Sequence, residues 1–212
     1  MKRRWITVRL PASTGKINGR AKVKLKISPA ELIFKYYSEA PQAKQILLDH
    51  SRLVTQKALK IGRYLQAQGD SVDLQFIAEA AMLHDIGMIL TDTPELGCHG
   101  EGNYLQHGVR GKEILEKEGL PKHARVCERH IGVGLTADEI LQQQLPLPPR
   151  DMQPETLEEK IICYADLFYS KGDKNPKPEK TFGEIREKLG KYGQNKVKVF
   201  DRWRKMFEPD LS

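Results

Sequence analysis

The stretch AAMLHDIGMIL, residues 80–90, sets two adjacent titratable side chains, His84 and Asp85, inside an otherwise apolar run. Ala80, Ala81, Met82 and Leu83 precede them and Ile86 follows, so the pattern asks for burial. A buried carboxylate is costly unless a positive partner meets it. Any fold for this chain must therefore bring a cation, from the protein or from solution, to Asp85.

A second acid has the same problem. Asp166 is the only charged residue in IICYADLFY, near the centre of a segment built for burial. Four histidines also fall on or beside apolar faces: His50, His84, His107 and His130. Taken singly, His50 reads more often as a hydrogen-bonded core histidine, and Asp85 as an acid paired with an arginine. The order His, His-Asp, His, His, Asp on successive helices is hard to obtain by accident. Four imidazoles and two carboxylates converging in a core suit one or two divalent ions of borderline softness. Glycines flank His107 (HGVRG) and His130 (HIGVG), leaving room for a ligand near the backbone. His99 and His123 lack comparable surroundings and are read as ordinary residues.

The periodicity around these residues is helical, and the expected core is all-α. Ser28-Pro29-Ala30-Glu31 has the form of a capping box with proline at the first helical position. A long helix is expected from residue 41 to about 66, with Leu47, Val54, Ala58, Ile61 and Leu65 as its apolar stripe and His50 on the same face. Asp73 should cap a helix running to 86, with Gly87 as a left-handed stop. Further helices are expected over 106–118, 122–130, 136–142 and 155–169. Two basic amphipathic helices, 182–191 and 195–207, should finish the chain. The glycine-rich segment between residues 91 and 106 reads as a loop and a candidate lid.

Charge divides the chain in three. Its net +7 comes from the ends: residues 1–27 carry nine Lys/Arg and no acid, whereas 28–170 is acidic overall and 171–212 basic. The domain reading follows: a basic arm over 1–27, a metal-binding helical domain over 28–170, and a basic helical extension over 171–212. Two alternating apolar stretches in the arm suggest a short β-ribbon. Contact of the basic ends with nucleic acid is the lesser expectation beside a solvated role. No apolar run approaches the roughly 20 residues of a membrane helix. Three widely spaced cysteines, Cys98, Cys127 and Cys163, argue for a reducing cytoplasm.

His50, the HDIG stretch with His84 and Asp85, and Asp166 in YADLF together resemble the signature of the HD-domain superfamily of metal-dependent phosphohydrolases. His107 in QHGVRG and His130 in ERHIGVG are similar to the extra ligands of its six-ligand, two-metal subgroup. The likeness runs from about residue 46 to 170 and extends to small stand-alone HDIG proteins and symmetrical dinucleoside-tetraphosphate hydrolases. It implies that His50, His84, Asp85 and Asp166 hold one metal, and that His107 and His130 hold a second with Asp85 bridging. It also implies a catalytic role for Asp85 and two divalent transition ions, iron foremost, with manganese, nickel, zinc or magnesium as alternatives. The substrate implied is a small phosphorylated molecule, a nucleotide above others. Met88 stands where a lysine often follows the motif, so other cations must meet the substrate. Arg110, three residues after His107, Lys160, six before Asp166, and Arg129, next to His130, are the candidates, with Arg110 and Lys160 preferred, and a homodimer is kept open. The second signature of cyclic-di-GMP phosphodiesterases and the acidic pair of alarmone hydrolases are absent. The rival readings are a diiron oxygenase, against which the missing lysine also counts, and a binding module without turnover.

Overall fold

A computed structural model describes residues 28–172 and 178–209; the expected N-terminal ribbon lies outside them. The described residues contain nine α-helices, three short 3-10 turns and a two-stranded hairpin. Helix α1 (Pro29–Tyr36) starts as the sequence suggested, with the Ser28 hydroxyl accepting from the Glu31 N–H. The long helix α2 (Pro41–Ala67) buries the expected stripe together with His50. Helix α3 (Leu74–Leu83) begins at Asp73, whose carboxylate accepts from the Phe76 N–H.

The end of α3 differs from expectation. The helix stops at Leu83, and a 3-10 turn follows over Ile86–Leu90. Gly87 is not among the glycines with positive φ. Its need for glycine is spatial: a Cβ there would lie 2.1 Å from Gly111 N and 2.2 Å from His107 O. Backbone meets backbone where the turn crosses α4 (His107–Lys117).

The 91–106 segment is folded. Strands β1 (Asp92–Thr93) and β2 (Cys98–His99) pair antiparallel, with Asp92 opposite His99 and Thr93 opposite Cys98. Gly97 closes the hairpin in the left-handed conformation, φ 74°, which glycine adopts at no steric cost. Helices α5 (Pro121–Arg129) and α6 (Ala137–Gln142) follow, and α7 (Leu157–Asp166) is shorter at both ends than its pattern suggested. Helices α8 (Phe182–Gly190) and α9 (Gln194–Phe207) complete the described chain.

Two large apolar clusters form most of the core among the described residues, beside a small third one of Ile140, Leu147 and Met152. One gathers Val54, Ile77, Ile161, Tyr164, Phe168 and Phe200 from α2, α3, the α7 region and α9. The other gathers Ile33, Leu47, Leu83, Ile86 and Leu115 from α1, α2, α3, the 3-10 turn and α4. Helices α2, α3 and α5 contribute to both; His50 and His130 fall between residues of one cluster and residues of the other, and His84 follows directly on the end of α3. The ring of Tyr164 lies 5.0 Å from that of Phe168 and 5.5 Å from that of Phe200. Burying each such side chain contributes about 1.5–3 kcal/mol, so α9 is held by packing as well as by chain connection. Lys57 adds a charged tie: its ammonium is 2.7 Å from Glu179 and 3.0 Å from Glu208, over the Phe168 ring.

Candidate metal centre

Six side chains from five places in the chain meet at the seam between the clusters. His50 comes from mid-α2, His84 and Asp85 from the end of α3, His107 from the start of α4, His130 from the end of α5 and Asp166 from the end of α7. Placing His84 and Asp85 at a helix end solves a geometric problem. Neighbours within a helix diverge by about 100°, whereas here the chain leaves the helix and turns both inward.

The donors fall into two sets that share Asp85. Around its Oδ2 lie His84 Nε2 at 2.9 Å and His50 Nε2 at 3.2 Å. Asp166 Oδ1 completes this set, 2.9 Å from His50 Nε2 and 3.4 Å from His84 Nε2. Around Asp85 Oδ1 lie His107 Nε2 at 3.2 Å and His130 Nε2 at 3.3 Å. One carboxylate thus turns one oxygen to each group.

Protons cannot satisfy this arrangement unaided. Nδ1 of His84 lies 2.7 Å from Ala81 O, that of His107 2.6 Å from Tyr104 O, and that of His130 2.7 Å from Cys127 O. A carbonyl only accepts, so each Nδ1 carries the hydrogen and donates. In the neutral rings Nε2 is then a bare lone pair aimed at the centre. His107 Nε2 and His130 Nε2 face each other at 3.0 Å, and those of His50 and His84 at 3.2 Å. Asp85 Oδ1 and Asp166 Oδ1 are buried, and among the described residues the only nitrogens set against them are imidazole Nε2 atoms, 2.9–3.4 Å away. Lone pairs and anionic oxygens converging with so few donors fit divalent cations.

The electrostatics agree. Burial would raise the Asp85 carboxyl, but His84, the Lys171 ammonium and the other imidazoles hold it well below the carboxylate range. Asp166 is lowered likewise, by Lys171 and by His50 and His84, against burial. His84 is desolvated, which favours its neutral form, yet Asp85 and Asp166 raise it to about 10. Burial keeps His130 below its ordinary value and therefore neutral, the form a ligand needs.

Lys171 is the residue that sequence reasoning missed. Its ammonium lies 2.8 Å from Asp85 Oδ2 and 5.8 Å from the centre of the Tyr104 ring. Burial would discharge it; Asp85 and Asp166 keep its pKa well above normal. It occupies an irregular segment just after α7, where no periodicity marks a residue as inward-facing. Arg110 and Lys160 are placed elsewhere. Arg110 is partly exposed and 3.6 Å from Glu113, and neither it nor the half-buried Lys160 lines the cavity beside the donors. His123 is buried against Glu79 at 3.2 Å and His99 is exposed, both away from the centre.

That cavity encloses about 760 Å³. His107, His130, Asp166 and Lys171 line its inner part, Thr93 and Leu96 of the hairpin region one wall, and residues of α8 and α9 another. Tyr104 stacks on His107, ring centres 4.6 Å apart, and so fixes one imidazole from the cavity side.

Comparison with known proteins gives the same extent. A family model described as HD domain matches residues 47–170. An uncharacterized protein of Methanocaldococcus jannaschii is 35% identical over 146 residues, covering 68% of this chain and 78% of that protein. A protein of Thermoplasma volcanium named tRNA (cytidine(56)-2'-O)-methyltransferase is 34% identical over 185 residues. One of the same name from Picrophilus torridus is 33% identical over 133 residues. These matches cover 82% and 62% of this chain, but only 47% and 34% of those proteins. No solved structure matches.

Proposed function

This chain belongs to the HD domain family, and from that premise we propose that it is a metal-dependent phosphohydrolase acting on a nucleotide or another small phosphate ester or anhydride. The observation that carries the reading is the Asp85 carboxylate shared between two donor sets at the inner end of a lysine-lined cavity. His50, His84, Asp85 and Asp166 would hold one divalent ion, and Asp85, His107 and His130 a second. A mixed imidazole and carboxylate set suits iron first, with manganese, nickel, zinc or magnesium as alternatives. Paired divalent ions supply an acidified water and compensating charge for a phosphate undergoing in-line attack.

The protein's own contribution is preorganisation and charge. Backbone carbonyls hold the rings of His84, His107 and His130 in one tautomer and one orientation. Asp85 fixes the relation between the two donor sets. Lys171, kept charged by Asp85 and facing the cavity, donates to a phosphate oxygen, a role better suited to it than to Arg110 and Lys160, which are not among the residues that line the cavity. The hairpin and Tyr104 close one side and limit water. The names of two relatives refer to tRNA; together with the basic first 27 residues, this supports a nucleotide as substrate. Three free cysteines, all buried, suit a reducing cytoplasm, and no helix of the described residues is long and apolar enough to cross a membrane.

The test is a panel of phosphorylated nucleotides offered anaerobically to protein reconstituted with iron or manganese, run beside oxygen uptake on a polyol and phosphonate panel. Phosphate release without oxygen is expected, and Lys171→Ala should lower kcat/KM by about 10- to 100-fold while metal stays bound. Oxygen-dependent turnover with no phosphate released from any substrate would overturn the proposal in favour of the diiron oxygenase.

A further inference from the structure

Four lysines and two acids line the cavity among the described residues. Two of the lysines are already engaged. Lys171 is bound to Asp85. Lys196 is buried, with its ammonium 2.6 Å from Glu139 Oε2 and 2.7 Å from Gly134 O. Lys180 and Lys188 differ from both: among the described residues, neither forms an ion pair with a carboxylate. Lys180 is half-buried and spends one N–H on Leu167 O at 3.2 Å, leaving two to donate. Lys188, near the far end of α8, is exposed at the outer part of the cavity.

The neighbouring acids have other partners: Glu179 pairs with Lys57, 2.7 Å away, and Glu187 with Lys191, 3.5 Å away. Glu184 turns its carboxylate back to the Thr181 N–H and hydroxyl, each at 2.7 Å, as the capping box of α8. The other lining acids, Asp166 and Glu95, leave the balance positive, and Asp166 belongs to the metal donors. Two ammonium groups lining one cavity repel each other. Burial first and then Lys188 lower the proton affinity of Lys180. Such a pair is favourable when an anion sits between its members.

We propose that Lys180 and Lys188 form a second anion subsite, which holds a phosphate group of the substrate remote from the one at the metal centre. The substrate is then a nucleotide with at least two phosphate groups, clamped at both ends: one group meets Lys171 and the His/Asp donors, the other the ammonium pair on the α8 side. The inference rests on the phosphohydrolase reading for the inner group and on the lysine pair alone for the outer one.

The experiment compares kcat/KM for adenosine 5′-monophosphate with that for adenosine 3′,5′-bisphosphate and for adenosine 5′-triphosphate. The Lys180→Ala/Lys188→Ala double variant should lower the preference for the better of the two longer substrates by at least about tenfold, the effect of losing a charge-assisted hydrogen bond. The Lys180→Arg/Lys188→Arg variant should keep most of that preference. A preference unchanged in the alanine variant overturns the subsite. Should the metal-loaded protein release phosphate from none of these compounds, the hydrolase reading fails, and calorimetric binding of inorganic tripolyphosphate decides the subsite by itself. Binding weakened about tenfold or more in the alanine variant supports it; equal binding refutes it.

Discussion

Removing Asp85 takes a ligand from both donor sets at once, whereas removing His107 or His130 touches one. Asp85→Ala should therefore lose nearly all bound metal, and His107→Ala or His130→Ala should keep about one ion of two. Metal analysis of purified protein, with circular dichroism to confirm folding, reads this directly; stoichiometric metal in Asp85→Ala would falsify the assignment. His84 gives a pH signature. Its pKa is raised in the folded metal-free protein from 6.5 to about 10, so its proton stabilises the fold fully below 6.5, and that contribution disappears as pH climbs through about 10. Thermal melts of metal-free protein should fall across this window, while apparent metal affinity rises, because the cation displaces the same proton. That these six side chains gather in one place was legible in the sequence because each is a polar residue in surroundings made for burial. Lys171 was not, since its place is set by the path of an irregular segment after α7, which no local pattern encodes.

Among the elements, the two most instructive glycines have opposite roles. Gly87→Ala would press a Cβ against Gly111 N and His107 O. It should cost about 3 kcal/mol by forcing the 3-10 turn off α4, and it should loosen the His107 site with it. Gly183 lies on an exposed part of α8, and a Cβ there would meet nothing nearer than Thr181 Oγ1 at 3.9 Å. Gly183→Ala should therefore stabilise by about 0.5–1 kcal/mol through helix propensity alone. Chemical denaturation of the pair is the check; equal costs would show that the close approach does not constrain the fold. Helix positions were readable from the 3.6-residue period, as α2 shows with all of its expected stripe buried. The reason for Gly87 was not, because the atoms it avoids belong to α4, beyond the reach of any local pattern. The β1–β2 hairpin escaped notice because it pairs only two residues from each strand, too few for alternation to register.

Across the whole molecule, the basic arm of residues 1–27 is expected to act separately from the acidic middle. Deleting residues 1–27 should leave metal content and phosphatase turnover largely intact, since none of the six donors lies there. It should weaken nonspecific nucleic-acid binding and flatten its dependence on salt. Loss of metal on truncation would instead make the arm part of the domain. The C-terminal helices cannot be removed so freely: Ile185, Leu189, Phe200 and Trp203 belong to the same apolar cluster as α2 and α7, and α8 supplies the outer lysine. The seam between the two clusters also has a consequence in time. The donor set of Asp85, His107 and His130 is drawn from a shorter stretch of chain than the set reaching from His50 to Asp166. Closing the shorter loop costs less entropy, and its contacts form sooner. In a refolding course followed by cobalt absorption, the site of His107 and His130 should fill first, and the site completed by Asp166 only when α7 docks.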